Sequence, residues 1–269
     1  MAARDRLDIL VWQRGLAPSR AKAQALILAG QIAVNGTRIT RAGTPVDLAA
    51  AITCLSPPSP YVSRGGEKLA AALATFAVSL HQRVALDVGA STGGFTDCLL
   101  QGGVSRVYAV DVGYGQLHWR LRTDPRVVVY ERTNARYLRP EQVPEPIDLL
   151  TVDASFISLR LLLPNLVHLL APAADAIVLI KPQFEVGKGQ VGKHGVVREP
   201  QQHRQVLWDV LTAAQTCGFG VRAVMPSPLL GPQGNREFLS YLHMGVVPMA
   251  TQTLYALCTQ VACGTAAPA

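Results

Sequence analysis

The stretch from Val84 to Thr96, VALDVGASTGGFT, constrains the fold of this chain more than any other. VALDV is a run of apolar and β-branched residues and reads as a buried strand. It breaks into GASTGG, and the following FTDCLLQGG reads as a short helix ending on Gly102-Gly103. A strand, a glycine-rich turn and a helix start make a cradle. Glycine lets the backbone come close to a ligand, and the helix start offers unpaired N–H groups. A second strand, RVYAV, then ends at Asp111, where a carboxylate is placed to hydrogen-bond ribose hydroxyls. The spacing, Asp87-x-Gly89 followed by Gly93-Gly94, is not the dinucleotide pattern, and there is no P-loop lysine. The same stretch holds Gly89-x-Ser91-x-Gly93, the pattern of a hydrolase nucleophile elbow in its proper strand–turn–helix setting. That elbow explains neither Asp87 nor Asp111, whereas nucleoside binding explains both. A glycine turn with a purely structural purpose is the third reading.

The rest of the chain sets bounds on the partners. Its 269 residues suffice for a full core and a small extra domain, and 49% hydrophobic against 16% charged content is that of a folded protein. A net charge of +7 favours a polyanionic partner. Residues 1–48 hold seven basic side chains (Arg4, Arg6, Arg14, Arg20, Lys22, Arg38 and Arg41) against Asp5, Asp8 and Asp47. More than half of the excess therefore lies in under a fifth of the chain. The five cysteines are odd in number and lack C-x-x-C spacing, and the six histidines show no metal spacing. Reduced thiols, no disulfide and no metal are expected. The opening MAARDRLDIL is too charged for a secretory signal, and the apolar region 156–181 is interrupted by Arg160, Pro164, Asn165, His168, Pro172 and Asp175. A cytoplasmic protein without a membrane segment is expected.

Residues 1–52 read as one small α+β domain. RLDILVWQRGLA suggests a helix stopped near Gly15; Ser19 caps a second helix, RAKAQALILA, ended by Gly30; and QIAVNGTRI is a hairpin turning on Asn35-Gly36. Arg20 and Lys22 stand in the first turn of the second helix, against the macrodipole preference, so they read as a phosphate site or as a solvated basic face. Residues 53–62 hold Pro57, Pro58 and Pro60 and read as a linker. In residues 63–245, a helix GGEKLAAALATF precedes strands VALDV, RVYAV, RVVVY, IDLLTV, AIVLI, FGVRAV and EFLSYLHM, separated by helical segments. That alternation predicts an α/β, doubly wound, Rossmann-like sheet with helices on both faces. The tail 246–269 has no charged side chain and no clear period, and is left undecided between a packed appendage and disorder. Two further features read blandly. The loop Gly187-Lys188-Gly189-Gln190 with Lys193 and His194 is a surface loop or a mobile lid, and His118-Trp119 is a packing pair.

In an open α/β sheet, ligands collect beyond the carboxyl ends of the strands. Asp111, Asp153 and Lys181 stand at such ends. If the last strand runs antiparallel, Glu237 at its start joins the same edge, and Lys68 reaches it from the helix before the first strand. Each alone reads as well as a structural ion pair.

Three resemblances rest on these residues. The segment RLDILVWQRGLAPSRAKAQALILAGQIAVNGTRI resembles the S4-type RNA-binding domain, which implies RNA contacts through Arg4, Arg6, Arg14, Arg20, Lys22 and Arg38, with Arg64 beyond the linker. The order Lys68, Asp153, Lys181, Glu237 resembles the catalytic tetrad of FtsJ-like ribose 2'-O-methyltransferases. The segments SRGGEKL, LDVGASTGGFTDCLL, DVGYGQL, DPRVVVYERTNAR, DASFISL, IKPQFEVGKGQVGKHGVV and GPQGNREF are similar to the TlyA family, also labelled haemolysins. The resemblance implies S-adenosylmethionine as cofactor, held by Asp87, Gly89, Ala90, Ser91, Thr92, Gly93, Gly94, Phe95, Thr96, Asp111, Asn134, Asp153 and Phe156. It implies ribosomal RNA or ribosomal subunits as partner, a cytidine ribose as acceptor, and neither DNA nor membrane. Lys181 is then the base or the donor orienting the 2'-oxygen, inside a shell of Lys68, Asp153 and Glu237. In the linker, the family's Arg-x-Trp-Val is here Ser59-Pro60-Tyr61-Val62. The remaining alternatives are a Ser91 hydrolase, a haemolysin and a non-catalytic RNA-binding factor.

Overall fold

The computed structural model describes residues 3–55, 59–187, 189, 191–192 and 195–264. Its contacts divide the chain into two compact units, Met1–Pro58 and Ser59–Ala269. Three residues of the proline-rich linker (56–58), Lys188, Gln190, Lys193 and His194 of the basic loop, and the last five residues lie outside the described set.

In the smaller unit, a strand Arg4–Arg6 pairs antiparallel with Pro45–Asp47. Helices Leu7–Gln13 and Arg20–Leu28 follow it. Ser19 caps the second as expected, its Oγ accepting from the Lys22 N–H at 3.2 Å. Strands Ile32–Val34 and Thr37–Ile39 form the hairpin, whose turn residues Asn35 and Gly36 have φ of 48° and 80°. Positive φ at both positions is the turn whose twist matches paired strands. Leu7, Leu10, Val11, Ala23, Ile27 and Ile32 close a core under the helices.

The larger unit is built on seven strands: β1 Val84–Val88, β2 Arg106–Val110, β3 Val127–Tyr130, β4 Ile147–Val152, β5 Leu170–Ile180, β6 Phe219–Pro226 and β7 Phe238–Met244. They lie side by side as β6-β7-β5-β4-β1-β2-β3. The first five in chain order are parallel, and β7 is antiparallel to both its neighbours. Alternate residues serve opposite faces. Leu86, Val88, Leu150, Val152, Val178 and Ile180 pack with helix α3 (Pro200–Thr216) and helix α4 (Thr251–Cys263). Ala85, Val107, Ala109, Leu149, Ile177 and Leu179 pack with helix α1 (Gly65–Phe76) and helix α2 (Gly94–Gln101). Helices on both faces of a largely parallel sheet are the α/β architecture read from the alternation of segments.

Two details differ from that reading. Strand β5 begins at Leu170, six residues before AIVLI, with a register shift between Leu170 and Asp175. The undecided tail contains α4, whose Leu254, Cys258, Val261 and Ala262 are buried at helical spacing. Arg236 donates to its terminal carbonyls at Val261 and Ala262, at 3.2 and 2.8 Å, which takes the place of the charge its own sequence lacks.

Candidate active site

Beyond Val88 the chain turns sharply at Gly89, with φ of 84°, and the N–H groups of Gly89 and Ala90 both donate to Val110 O. A Cβ on Gly89 would lie 2.7 Å from the Asp153 carbonyl oxygen, so only glycine lets these two loops meet. Ser91, at φ of 49°, donates its N–H to Asp111 Oδ2 at 2.7 Å, and Gly113 donates to Oδ1 at 2.7 Å. Asp111 thus ties the cradle to the loop beyond β2, and each oxygen keeps a further lone pair. The cleft above is lined by Ser63, Arg64, Gly65, Lys68, Gly89, Ala90, Ser91, Thr92, Gly94, Phe95, Asp153, Leu230 and Gly231. The small residues Gly89, Ala90, Ser91 and Thr92 share it with the larger side chains of Arg64, Lys68, Phe95, Asp153 and Leu230.

Three residues expected at the cofactor stand beneath the cradle instead. Asp87 is fully buried, its carboxylate accepting from Thr96 Oγ1 at 2.6 Å and Thr151 Oγ1 at 2.9 Å. Burial, opposed by these hydroxyls, pushes the Asp87 carboxyl up to about 6. Thr96 is equally buried, and a side chain on Gly93 would strike Leu121 and Leu117. These groups hold the loop and touch no open space. Asn134 and Phe156 are not among the cleft-lining residues either. The Asn134 Oδ1 accepts from the Arg136 N–H at 3.1 Å, next to Thr133, whose N–H is bound by Asp111 O. Phe156 is 90% exposed in a left-handed conformation, φ 65°, with its ring 5.0 Å from that of Phe184.

Two ion pairs meet at this edge. Lys68 of α1 lies 2.5 Å from Glu237 Oε2, and Lys181 at the end of β5 lies 2.6 Å from Asp153 Oδ1 at the end of β4. Glu237 is brought there because β7 runs antiparallel: Phe238, its first residue, pairs with Ile180 at the carboxyl end of β5, and Glu237 immediately precedes it. The Lys181 ammonium also reaches Ser155 Oγ at 2.9 Å and Asp153 O at 3.4 Å. Burial raises the Asp153 carboxyl above its usual range, and Lys181 and then Lys68 oppose that rise. Ser91, by contrast, shows no triad: among the described residues its Oγ has one hydrogen-bond partner, Gln116 Oε1 at 3.4 Å. A serine nucleophile needs a base at that position.

Two residues of this site carried no signal in the sequence reading. Both sit on the one-turn helix Pro182–Glu185. Gln183 Nε2 reaches Glu237 Oε1 at 3.5 Å. Glu185 is buried and accepts from Ser158 Oγ at 2.5 Å and the Leu159 N–H at 2.7 Å. Lys181 holds one end of loop 153–158 and Glu185 the other, with Phe156 between them.

Residues 61–244 match the family described as FtsJ-like methyltransferase, and residues 5–52 match the S4 domain. The 16S/23S rRNA (cytidine-2'-O)-methyltransferase TlyA of Mycobacterium tuberculosis is 49% identical, covering 90% of this chain and 91% of its own. The chain belongs to the FtsJ-like methyltransferases of the TlyA family. Among solved structures, a hemolysin-labelled protein of Streptococcus thermophilus superposes with a TM-score of 0.76 at 39% identity, over 97% of this chain and 96% of that one. A Listeria monocytogenes protein described as an S-adenosylmethionine-dependent methyltransferase shares the fold alone, with a TM-score of 0.52 at 14% identity over 68% of this chain and 100% of that one.

In the S4 unit of this methyltransferase, the arginines expected at RNA divide into two groups. Arg14 donates to Ala50 O at 2.7 Å and Leu48 O at 2.6 Å, so its fork is spent on the unit's own backbone. Those bonds give Arg14 a structural task beside the RNA contact expected of it. Arg6 and Arg20 both bind Asp8, so Arg20 is neither a simple solvated charge nor a bare helix-terminus site. Arg4, Lys22 and Arg38 are exposed, and Arg64 lines the cleft of the other unit. His118 caps the short helix Trp119–Arg122 through Nδ1, while Trp119 is 69% exposed and does not pack in the core.

Proposed function

We propose that this methyltransferase transfers the methyl group of S-adenosylmethionine to the 2'-hydroxyl of a cytidine in ribosomal RNA. The observation that carries this reading is the meeting of Lys68–Glu237 and Lys181–Asp153 beside the glycine cradle, from four separate elements. When bound, S-adenosylmethionine supplies an electrophilic methyl group on a sulfonium. The segment Gly89–Thr92 with Gly94 and Phe95 would hold it, with Asp111 at the ribose. The chain's own task is to align a ribose hydroxyl and take its proton, and alignment is the larger share of such catalysis. Lys181 already faces three oxygen acceptors, which favours a donor, and it orients the 2'-oxygen by exchanging the 3.4 Å contact with Asp153 O for the hydroxyl. Asp153, raised by burial, is an acceptor within reach of the hydroxyl so held. Lys68, paired with Glu237, stands close enough to Asp153 for its charge to oppose the rise that burial causes there. The exposed Phe156 ring, close to Phe184 and through it to Lys181, suits the stacking of an unstacked nucleobase, and a requirement for the 2'-hydroxyl selects RNA over DNA.

The haemolysin alternative gains no support from a spanning segment: no helix among the described residues is long and apolar enough to cross a membrane. The hydrolase alternative lacks a base at Ser91. The deciding experiment supplies ribosomal RNA from cells lacking the protein with labelled S-adenosylmethionine and maps 2'-O-methyl positions. Label at one or a few cytidine riboses is the expected result. Label on bases, or none in RNA, overturns the reading.

A further inference from the structure

The S4 unit hides an acid under its basic surface. Asp8 is fully buried, yet it stands among the residues that make this unit cationic. Its Oδ1 accepts from Arg6 Nε at 2.9 Å, and its Oδ2 accepts from Arg6 Nη2 at 3.1 Å, Arg20 Nε at 3.0 Å and Gln24 Nε2 at 2.7 Å. Its own N–H is taken by Ala42 O at 3.0 Å, so the residue is fixed at both backbone and side chain. The two arginine side chains it binds are 48% and 47% exposed. Arg6 arrives from the strand before the first helix, and Arg20 from the first turn of the second helix.

A guanidinium has five N–H donors, so both arginines retain donors after binding Asp8. The carboxylate is bidentate to Arg6 and shared with Arg20, which fixes two planar forks relative to each other. A free arginine on a surface must surrender side-chain freedom when it meets a phosphate; these two have surrendered it already. The charges on Arg6 and Arg20 exceed that of Asp8 by one, and the acid is the buried member, so what faces solvent is cationic.

We propose that Asp8 is a positioning residue for RNA recognition, presenting Arg6 and Arg20 as one preformed two-pronged grip on the phosphate backbone. The inference rests on reading residues 5–52 as RNA-binding. It leads to a result opposite in sign to simple charge counting. Removing this negative charge makes the unit more basic, and counting alone then demands tighter RNA binding. A preformed grip demands weaker binding.

The test is filter binding of the full chain to ribosomal RNA transcripts across a salt series. Asp8→Asn is expected to weaken binding about tenfold at moderate salt, from loss of preorganisation. The slope of log affinity against log salt should become shallower by about 1, the share of one phosphate contact. In an Arg6→Gln, Arg20→Gln background, adding Asp8→Asn should change affinity by less than about twofold, because non-additivity is the mark of a residue acting through others. Equal or tighter binding by Asp8→Asn overturns the inference. Should that variant not fold, Gln24→Leu decides. It takes one donor from the same carboxylate without altering charge, and is expected to weaken binding about two- to threefold by loosening the grip. Unchanged affinity there overturns the inference equally. If instead the double arginine variant binds like the parent chain, it is the RNA-binding reading of residues 5–52 that has failed.

Discussion

In the S4 unit one buried acid serves two arginines, while at the methyltransferase edge two acids serve two lysines, one each. The first arrangement leaves its cations about half exposed around a hidden carboxylate. The second draws both signs inward: the Lys68 and Lys181 side chains are only 12% and 11% exposed. Arginine's flat fork suits a bidentate grip that faces outward, and lysine's compact ammonium suits a point placed against one reacting oxygen. Surplus charge at one site and balanced charge at the other separate capture of a polyanion from chemistry on it. A further acid, Asp87, has no cation partner among the described residues and is satisfied by two threonine hydroxyls.

The largest effect expected from this contrast is at Lys181. Lys181→Ala should lower methyl transfer by about 10³-fold or more, as loss of a group acting on the reacting oxygen does. Calorimetric S-adenosylmethionine affinity should stay within about twofold. An orienting donor further predicts partial activity for Lys181→Arg, whereas a proton-accepting lysine predicts none, since guanidinium stays protonated. Loss of cofactor affinity together with rate would break the assignment of Lys181 to the RNA side.

Glu237→Gln comes next. It leaves Lys68 buried without its counter-ion, a change that costs about 3 kcal/mol where one partner of a buried pair is removed. Thermal unfolding of the methyltransferase unit should fall accordingly, and activity with it. An unchanged melting temperature would show that the pair does not support the fold.

The unpaired Asp87 predicts a pH effect of opposite sign to a salt-bridged acid. Its folded-state carboxyl lies at about 6, above the ordinary aspartate value of 3.8. The folded state therefore holds this proton more tightly than the unfolded chain does. The resulting stability is present below pH 3.8 and is lost as pH rises through about 6. Asp87→Asn removes that loss, so stability at pH 8 should rise relative to the parent by up to about 3 kcal/mol, the equivalent of this displacement. The difference should shrink toward pH 4, and a difference flat from pH 4 to 8 would contradict the assignment.

The smallest effect separates the arginines. Arg14→Ala should leave RNA affinity within about twofold, since its donors serve Leu48 and Ala50. It should destabilise the S4 unit by about 1–2 kcal/mol, the worth of charged hydrogen bonds to backbone. Arg20→Ala should weaken RNA binding clearly more than Arg14→Ala does in the same assay, and it also destabilises the unit, because it takes a partner from the buried Asp8 carboxylate.

The strands of the large sheet were legible because they are short β-branched runs bounded by turns, and the sheet's chirality and order follow from few rules. Helix α4 was not legible. Its buried Leu254, Cys258 and Val261 keep helical spacing, but the exposed face between them carries Tyr255 and no charge, so no contrast marks the period. The sequence places Asp87 at the cofactor through its spacing to the glycines and through family likeness, and neither shows that two hydroxyls from neighbouring elements close over it. Arg14 looked like Arg6 for want of any sign of which arginine faces its own carbonyls. The tetrad's order was visible through family likeness. Its convergence depends on the direction of β7, which the sequence reading entered only as a condition. Glu185 lay beyond reach, because a single acid on a one-turn helix has no periodicity to announce it.

The position of β7 has a consequence for how the protein is made. This strand lies between β5 and β6, and the Lys68–Glu237 contact joins residues 169 apart. As the chain leaves the ribosome, β1 to β5 can assemble in parallel while the outer edge of β5 stays unpaired. Strand β6, though finished earlier, has no neighbour to join until β7 emerges and slots in ahead of it. Glu237 is the first residue delivered by that closing step. A nascent chain can thus have a cradle long before it has a complete set of catalytic partners. An enzyme whose substrate is ribosomal RNA then becomes competent only when its last strand has cleared the ribosome that is making it.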